Sequence, residues 1–146
     1  MNRLLSIFHT LIVMALVVSI QACAAKGASV ELKGKSYSIE IAETDAAREH
    51  GLMDRPGMAA DHGMLFVFQD DTPRSFWMKN TKIALDMLFF DADRRLVSVQ
   101  HAAQPCVADP CPPYSSGAPA RYVLELNAGQ ASKLGLAPGD EMQIHR

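Results

Sequence analysis

The sequence predicts an α+β domain that is mainly β, built on one strongly curved antiparallel sheet with two short helices. Three observations carry that expectation. Apolar runs of strand length recur from residue 36 to residue 144 and are separated by Gly, Pro, Asn and Asp turn signals. Only two stretches carry helix start and stop signals, and both are brief. Strands do not alternate with helices in the manner that marks a parallel sheet.

The chain has 146 residues, and residues 1–25 have the anatomy of a secretory leader: basic Arg3, an apolar stretch over 11–20, then Ala22, Cys23, Ala24 and Ala25. The apolar stretch is about half the roughly 20 residues that a permanent span requires. Ala22-Cys23-Ala24 offers a signal-peptidase site, whereas Ile20-Gln21-Ala22-Cys23 resembles a lipobox, whose cysteine becomes the lipidated first residue. Both routes stay open, and a lipid at Cys23 is the only membrane attachment expected. Residues 26–146 form one domain of the usual size. The net charge of −2 becomes −3 once Arg3 leaves, and no basic run appears. Nucleic acid is therefore not an expected partner.

Within the domain, Tyr37, Ile39 and Ile41 alternate along residues 36–42 as in a half-buried strand, after a mixed stretch over 27–35. Thr44 is placed to cap a short helix through His50, which Gly51 ends. Arg55-Pro56-Gly57 signals a turn before a buried strand over 64–68, which 69–73 break. Residues 75–91 hold the only tryptophan, three phenylalanines and four charged residues, Lys79 and Asp86 among them, in one largely apolar run. Read as extended chain, Ser75, Trp77, Lys79 and Thr81 share one face. Further on, Ile83, Leu85, Met87 and Phe89 oppose Ala84, Asp86, Leu88 and Phe90. A turn over 91–94 leads to a strand over 95–101, making a long antiparallel hairpin. Residues 102–120 are rich in proline and read as an irregular loop. A strand over 122–126, a short helix over 130–134 and a last strand over 141–144 complete the chain.

FWMKNT and LDMLFFD, with GLMDRPGM and GMLFVF before them and YVLELNAG after, resemble the DUF192 family of small proteins. The resemblance spans about residues 37–144 and implies a compact, barrel-like β fold.

Cys106 and Cys111 remain as an even pair once Cys23 is assigned to the leader, and in an exported protein a local disulfide is expected. A redox-active pair and a metal site assisted by His101 are the rival readings. His9 lies in the leader, and His50, His62, His101 and His145 show no ligand spacing, so neither a metal nor a cofactor is expected. The candidate site residues are Arg55, Trp77, Lys79, Asn80, Thr81, Asp86, Tyr114 and Glu125. Asp86, alone in an apolar strand, calls for a partner, for which Lys79 and Arg55 are the natural candidates. Three readings follow: an internal scaffold pair, a pocket for a small anionic or aromatic ligand with Trp77 as its wall, or a small hydrolase-type enzyme using Asp86 or Glu125 as acid/base. The pocket reading makes the protein a binding or accessory module of the cell envelope.

Export is open to a direct check. Mass spectrometry of protein purified from its native envelope is expected to show loss of the leader, with a diacylglyceryl mass on Cys23 if the lipobox is used. An intact Met1 on most molecules overturns the expectation.

Overall fold

The computed structural model describes residues 27–146, so the leader and Cys23 lie outside the described residues. The chain runs β1 (Ser29–Leu32), β2 (Lys35–Ala42), α1 (Asp45–His50), β3 (His62–Phe76), β4 (Leu85–Phe90), β5 (Leu96–Ala103), β6 (Tyr114–Asn127), α2 (Gln130–Leu134) and β7 (Met142–His145). The seven strands make one sheet in the order β5-β4-β6-β3-β2-β1-β7. The sheet curls into a half-barrel until its two edge strands meet at one end. There Leu96 donates its N–H to the Asp140 carbonyl at 2.8 Å and Met142 donates to Arg94 at 2.9 Å. The mainly β class with two short helices is as the sequence predicts. Among the described residues no helix is long and apolar enough to cross a membrane.

Several elements differ from expectation, each for a local reason. The mixed stretch before residue 36 holds β1, whose Val30 and Leu32 are buried while Ser29 and Glu31 are partly exposed; four residues are too few for a clear alternation. β2 and β3 pair in parallel, Ser38 to His62 through Ala42 to Phe66, with α1 in the crossover between them. The helix is so short that it gives little sign of a βαβ unit. Thr44 and Gly51 cap it as expected, the Thr44 side chain accepting from the Ala47 N–H at 3.2 Å. β3 continues through the predicted break at 69–73 by means of register shifts against β6. β6 accordingly begins at Tyr114, inside the expected loop. Gly63 is fixed by close approach, because a Cβ there would lie 2.6 Å from the Glu125 carbonyl oxygen.

The extended path expected from Ser75 to Thr81 is not kept beyond Phe76. β3 ends at Phe76, and residues 77–84 cross over to β4 with one isolated bridge, Lys79 to Cys106. Asn80 has a left-handed backbone (φ 55°), which breaks the extended path. The shared face proposed for Ser75, Trp77, Lys79 and Thr81 is therefore lost: Trp77 is 48% exposed and Thr81 is buried.

The alternation along β4 does hold, and the strand is buried on both faces. Leu88 and Phe90 enter the barrel interior with Leu65, Leu124 and Leu126. Leu85, Met87 and Phe89 enter a second cluster on the other face, with Phe66, Met78 and Val123. By the same parity Asp86 sits on the interior face.

The expected pairing of Asp86 with Lys79 or Arg55 is not found. Asp86 is fully buried and accepts backbone N–H groups, from Ala102 through Oδ1 and from Ala131 through Oδ2, each at 2.9 Å. The reason is in the register. Leu85 pairs with Ala103 but Met87 pairs with Gln100, so β5 carries an extra length of chain opposite Asp86, with Ala102 at φ 48°. That bulge frees an amide, and the first turn of α2, which has no side-chain cap, frees another. Asp86 satisfies both, which disposes of its need for a cation.

Asp86→Ala leaves two buried amides without partners and is expected to cost about 2–5 kcal/mol in urea unfolding. Lys79→Ala should change stability by no more than about 0.5 kcal/mol, and the double variant should show the sum. A coupling between the two above about 1 kcal/mol would contradict this assignment.

Candidate functional site

A groove of about 420 Å³ lies between α1 and residues 77–80, lined by Ala46, Glu49, His50, Met53, Trp77, Lys79 and Asn80. Phe76 and Trp77 show how it is built. Phe76 turns inward and meets Phe66 edge-to-face at 4.9 Å and Phe89 at 6.0 Å. Its neighbour Trp77 is turned outward and is 48% exposed. The Lys79 Nζ lies 5.4 Å from the centre of the Trp77 ring and 3.0 Å from Asp109 Oδ2. The adjoining backbone is clamped from two sides. Cys106 donates to the Met78 carbonyl at 3.1 Å and Asn80 donates to the Cys106 carbonyl at 3.2 Å, while Asp54 donates to the Asn80 carbonyl at 2.9 Å.

Cys106 is bonded to Cys111, with their Cα atoms 5.8 Å apart, so the expected disulfide is present. It closes the loop that carries Asp109 and supports the Trp77–Asn80 segment from behind. A disulfide also indicates a compartment outside the reducing cytoplasm.

Beneath the groove a recess of about 30 Å³ opens between Leu52, Phe66, Phe76, Trp77 and Thr81 and reaches Glu125. Its volume suits about two water molecules. Glu125 alternates with Val123 onto the second face of the sheet, opposite the interior face that holds Asp86. Only 4% of Glu125 is exposed, and burial alone pushes its carboxyl up to about 8 from 4.5. No ion pair or side-chain hydrogen bond among the described residues offsets that cost. Thr81, also buried, closes the turn by donating its N–H to the Met78 carbonyl at 3.2 Å.

The structure thus gathers Trp77, Lys79, Asn80, Thr81 and Glu125 around one groove and its recess, and places three of the sequence-derived candidates elsewhere. Arg55 forms a two-pronged pair with Glu40, its Nη2 lying 2.6 Å from Oε2. That guanidinium, through its hydrogen bonds, holds the Glu40 carboxyl down at about 2 despite the opposing effect of burial. His62 Nε2 lies 3.0 Å from the same carboxylate and His62 Nδ1 lies 2.9 Å from Ser38 Oγ, so the cluster fastens the loop after α1 to β2 and β3. Tyr114 pairs with Phe76 across β3 and β6, and its hydroxyl accepts the Gln104 N–H at 3.3 Å. Asp86 is on the far face of the sheet.

Sequence reasoning missed the opposite wall. Ala46, Glu49 and His50 are spaced i, i+3 and i+4, which puts them along one side of α1, and Met53 follows in the turn after Gly51. That spacing is the signal that marks the face α1 turns to the groove.

The model of the DUF192 family, described as "Uncharacterized ACR", matches residues 28–144. No curated protein matches the chain. Two crystal structures are similar to it. One, a Sinorhizobium meliloti 1021 protein described as a "putative transcription regulator", is 38% identical with a TM-score of 0.72 over 80% of this chain and 91% of that one. The other, a protein of unknown function from Novosphingobium aromaticivorans DSM 12444, is 34% identical with a TM-score of 0.72 over 80% and 82%.

The raised Glu125 carboxyl fixes the sign of a pH effect. The native state keeps this proton between about pH 4.5 and 8, whereas the unfolded chain gives it up, so stability from this group is complete below 4.5 and falls as pH rises towards 8. Glu125→Gln removes that loss. It is expected to raise stability at pH 7.5 by on the order of 3 kcal/mol and to change it little at pH 4, as read by urea unfolding at the two values. A gain of equal size at both would show that ionisation is not the cause.

Proposed function

The chain belongs to the DUF192 family, and from that premise and the groove's geometry we propose that it is an exported binding or accessory module of the cell envelope, holding a small anionic or aromatic ligand against Trp77. The observation that carries this reading is the exposure of Trp77, 48%, beside Lys79 in an open groove of about 420 Å³. An exposed indole with only two side-chain torsions supplies a stacking face at little cost in conformational freedom. Lys79 supplies a cation at the rim and Asn80 a side-chain amide, so an aromatic acid would find both of its groups matched.

The leader and the Cys106–Cys111 bond support export, to the periplasm or to a lipid anchor at Cys23. The hydrolase-type alternative using Asp86 finds less support. Both Asp86 oxygens already accept backbone amides, and the residue faces away from the groove. Transcription regulation, the description borne by one similar structure, is not carried over: the net charge of −2 and the lack of a basic run do not favour nucleic acid.

Trp77 is the only tryptophan, so its emission reports on the groove directly. Small anionic aromatic compounds are expected to shift it saturably, and Lys79→Ala should weaken binding by about tenfold, or about 1.4 kcal/mol, with the fold intact. An emission that soluble quenchers reach but that no member of a broad panel of anions and aromatics alters would overturn the proposal.

A further inference from the structure

The groove has a polar end that an anionic or aromatic ligand leaves unused. Glu125 is 96% buried, lines the recess beneath the groove and has no donor directed at it among the described residues' hydrogen bonds. The recess is lined by the aromatic rings of Phe66, Phe76 and Trp77, with Thr81 beside them, and by Arg48, Glu49 and His50 of α1. A buried carboxyl behind aromatic faces is complementary to one chemical group above others. An ammonium ion is about the size of a water molecule and brings three donors, and aromatic faces attract it. A hydroxyl brings one donor and no charge, and a second carboxylate brings repulsion.

We infer that the recess binds the protonated amino tip of a primary alkylamine, with Glu125 as its counter-ion, while the rest of the ligand lies along Trp77 in the groove above. The inference rests on the groove being a binding site and adds a ligand class to it. The charged groups around the recess are compatible with a cation. The Arg48 guanidinium is turned away, bonded to Asp45 and to the carbonyls of Glu43 and Val67 and lying over the Phe68 ring. Glu49 and His50 of α1 border both the groove and the recess, and Lys79, which lines the groove, lies 3.0 Å from Asp109.

The step is a proton exchange with a complete balance. The neutral Glu125 carboxylic acid gives its proton to solvent as the ammonium arrives, and a carboxylate–ammonium pair takes its place. Because Glu125 holds its proton up to about pH 8, binding at pH 7 releases about one proton per ligand, and at pH 9 far less.

The test is calorimetry at pH 7 with n-butylamine as the probe, in two buffers of different ionisation enthalpy, with n-butanol and butyrate as controls. Butylamine is expected to bind with release of about one proton, and the controls at least tenfold more weakly. Glu125→Gln, which keeps the shape, should lose both the affinity and the proton release. Trp77→Ala, at an exposed position that the fold does not require, should weaken binding yet leave the proton release unchanged. Equal affinity for butanol and butylamine, proton release that persists in Glu125→Gln, or no binding of butylamine would each overturn the inference. If anionic aromatics still shift the Trp77 emission while butylamine fails, the groove stands as a binding site and only the amine assignment falls.

Discussion

One carboxylate holds the curled sheet and its appended helix together. Asp86 receives an amide from the bulge of β5 and another from the first turn of α2, two elements that approach β4 from different directions. Each of those amides is orphaned by the local geometry that the fold needs. A sheet that curls towards closure must bulge, and a five-residue helix without a side-chain cap must expose N–H groups. Hydrogen bonds to a carboxylate are roughly twice as strong as those between neutral groups, so a single side chain resolves both problems inside the core. The barrel interior of leucines, Val30, Tyr37 and Phe90 packs around that fixed point.

Asp86 and Glu125 show what strand parity does to function. They lie on adjacent strands, Asp86 opposite Leu126 and Met87 opposite Glu125, a displacement of one residue. That one residue sends the first carboxyl into the barrel, where backbone amides satisfy it, and the second onto the outer face, where it borders the recess without a hydrogen-bond partner among the described residues. The first is a tie and the second is a cost that the fold bears beside an open groove.

The sheet's principal strands, both helices, the caps of the first, and the disulfide were legible because they depend on local rules: alternation, Thr44 and Gly51 as end signals, and cysteine parity. The parallel pairing of β2 with β3 was not, since six residues of α1 carry too weak a period to announce a crossover. The path after Phe76 misled for a different reason. FWMKNT is composed like a strand, and only the left-handed backbone at Asn80, anchored by Asp54 and Cys106 from distant parts of the chain, turns it into a groove wall. The site was therefore half legible: Trp77, Lys79, Asn80, Thr81 and Glu125 stood out as polar or aromatic anomalies, but the partners of Arg55 and Asp86 are set by register, which no spacing in the sequence reveals.

The helix α1 bears on a different question, how such a molecule diversifies. None of its residues is fully buried; its ends are closed by Thr44 and Gly51, and Arg48 ties it to β3 through the Val67 carbonyl and the Phe68 ring. Yet Ala46, Glu49 and His50 make up the wall facing Trp77. Substitutions there leave both core clusters untouched, so natural variation can redraw the groove while the barrel stays as it is. The packing that holds the barrel and the shape of the groove are thereby placed under separate evolutionary control, the former in the strands and the latter on one turn and a half of surface helix.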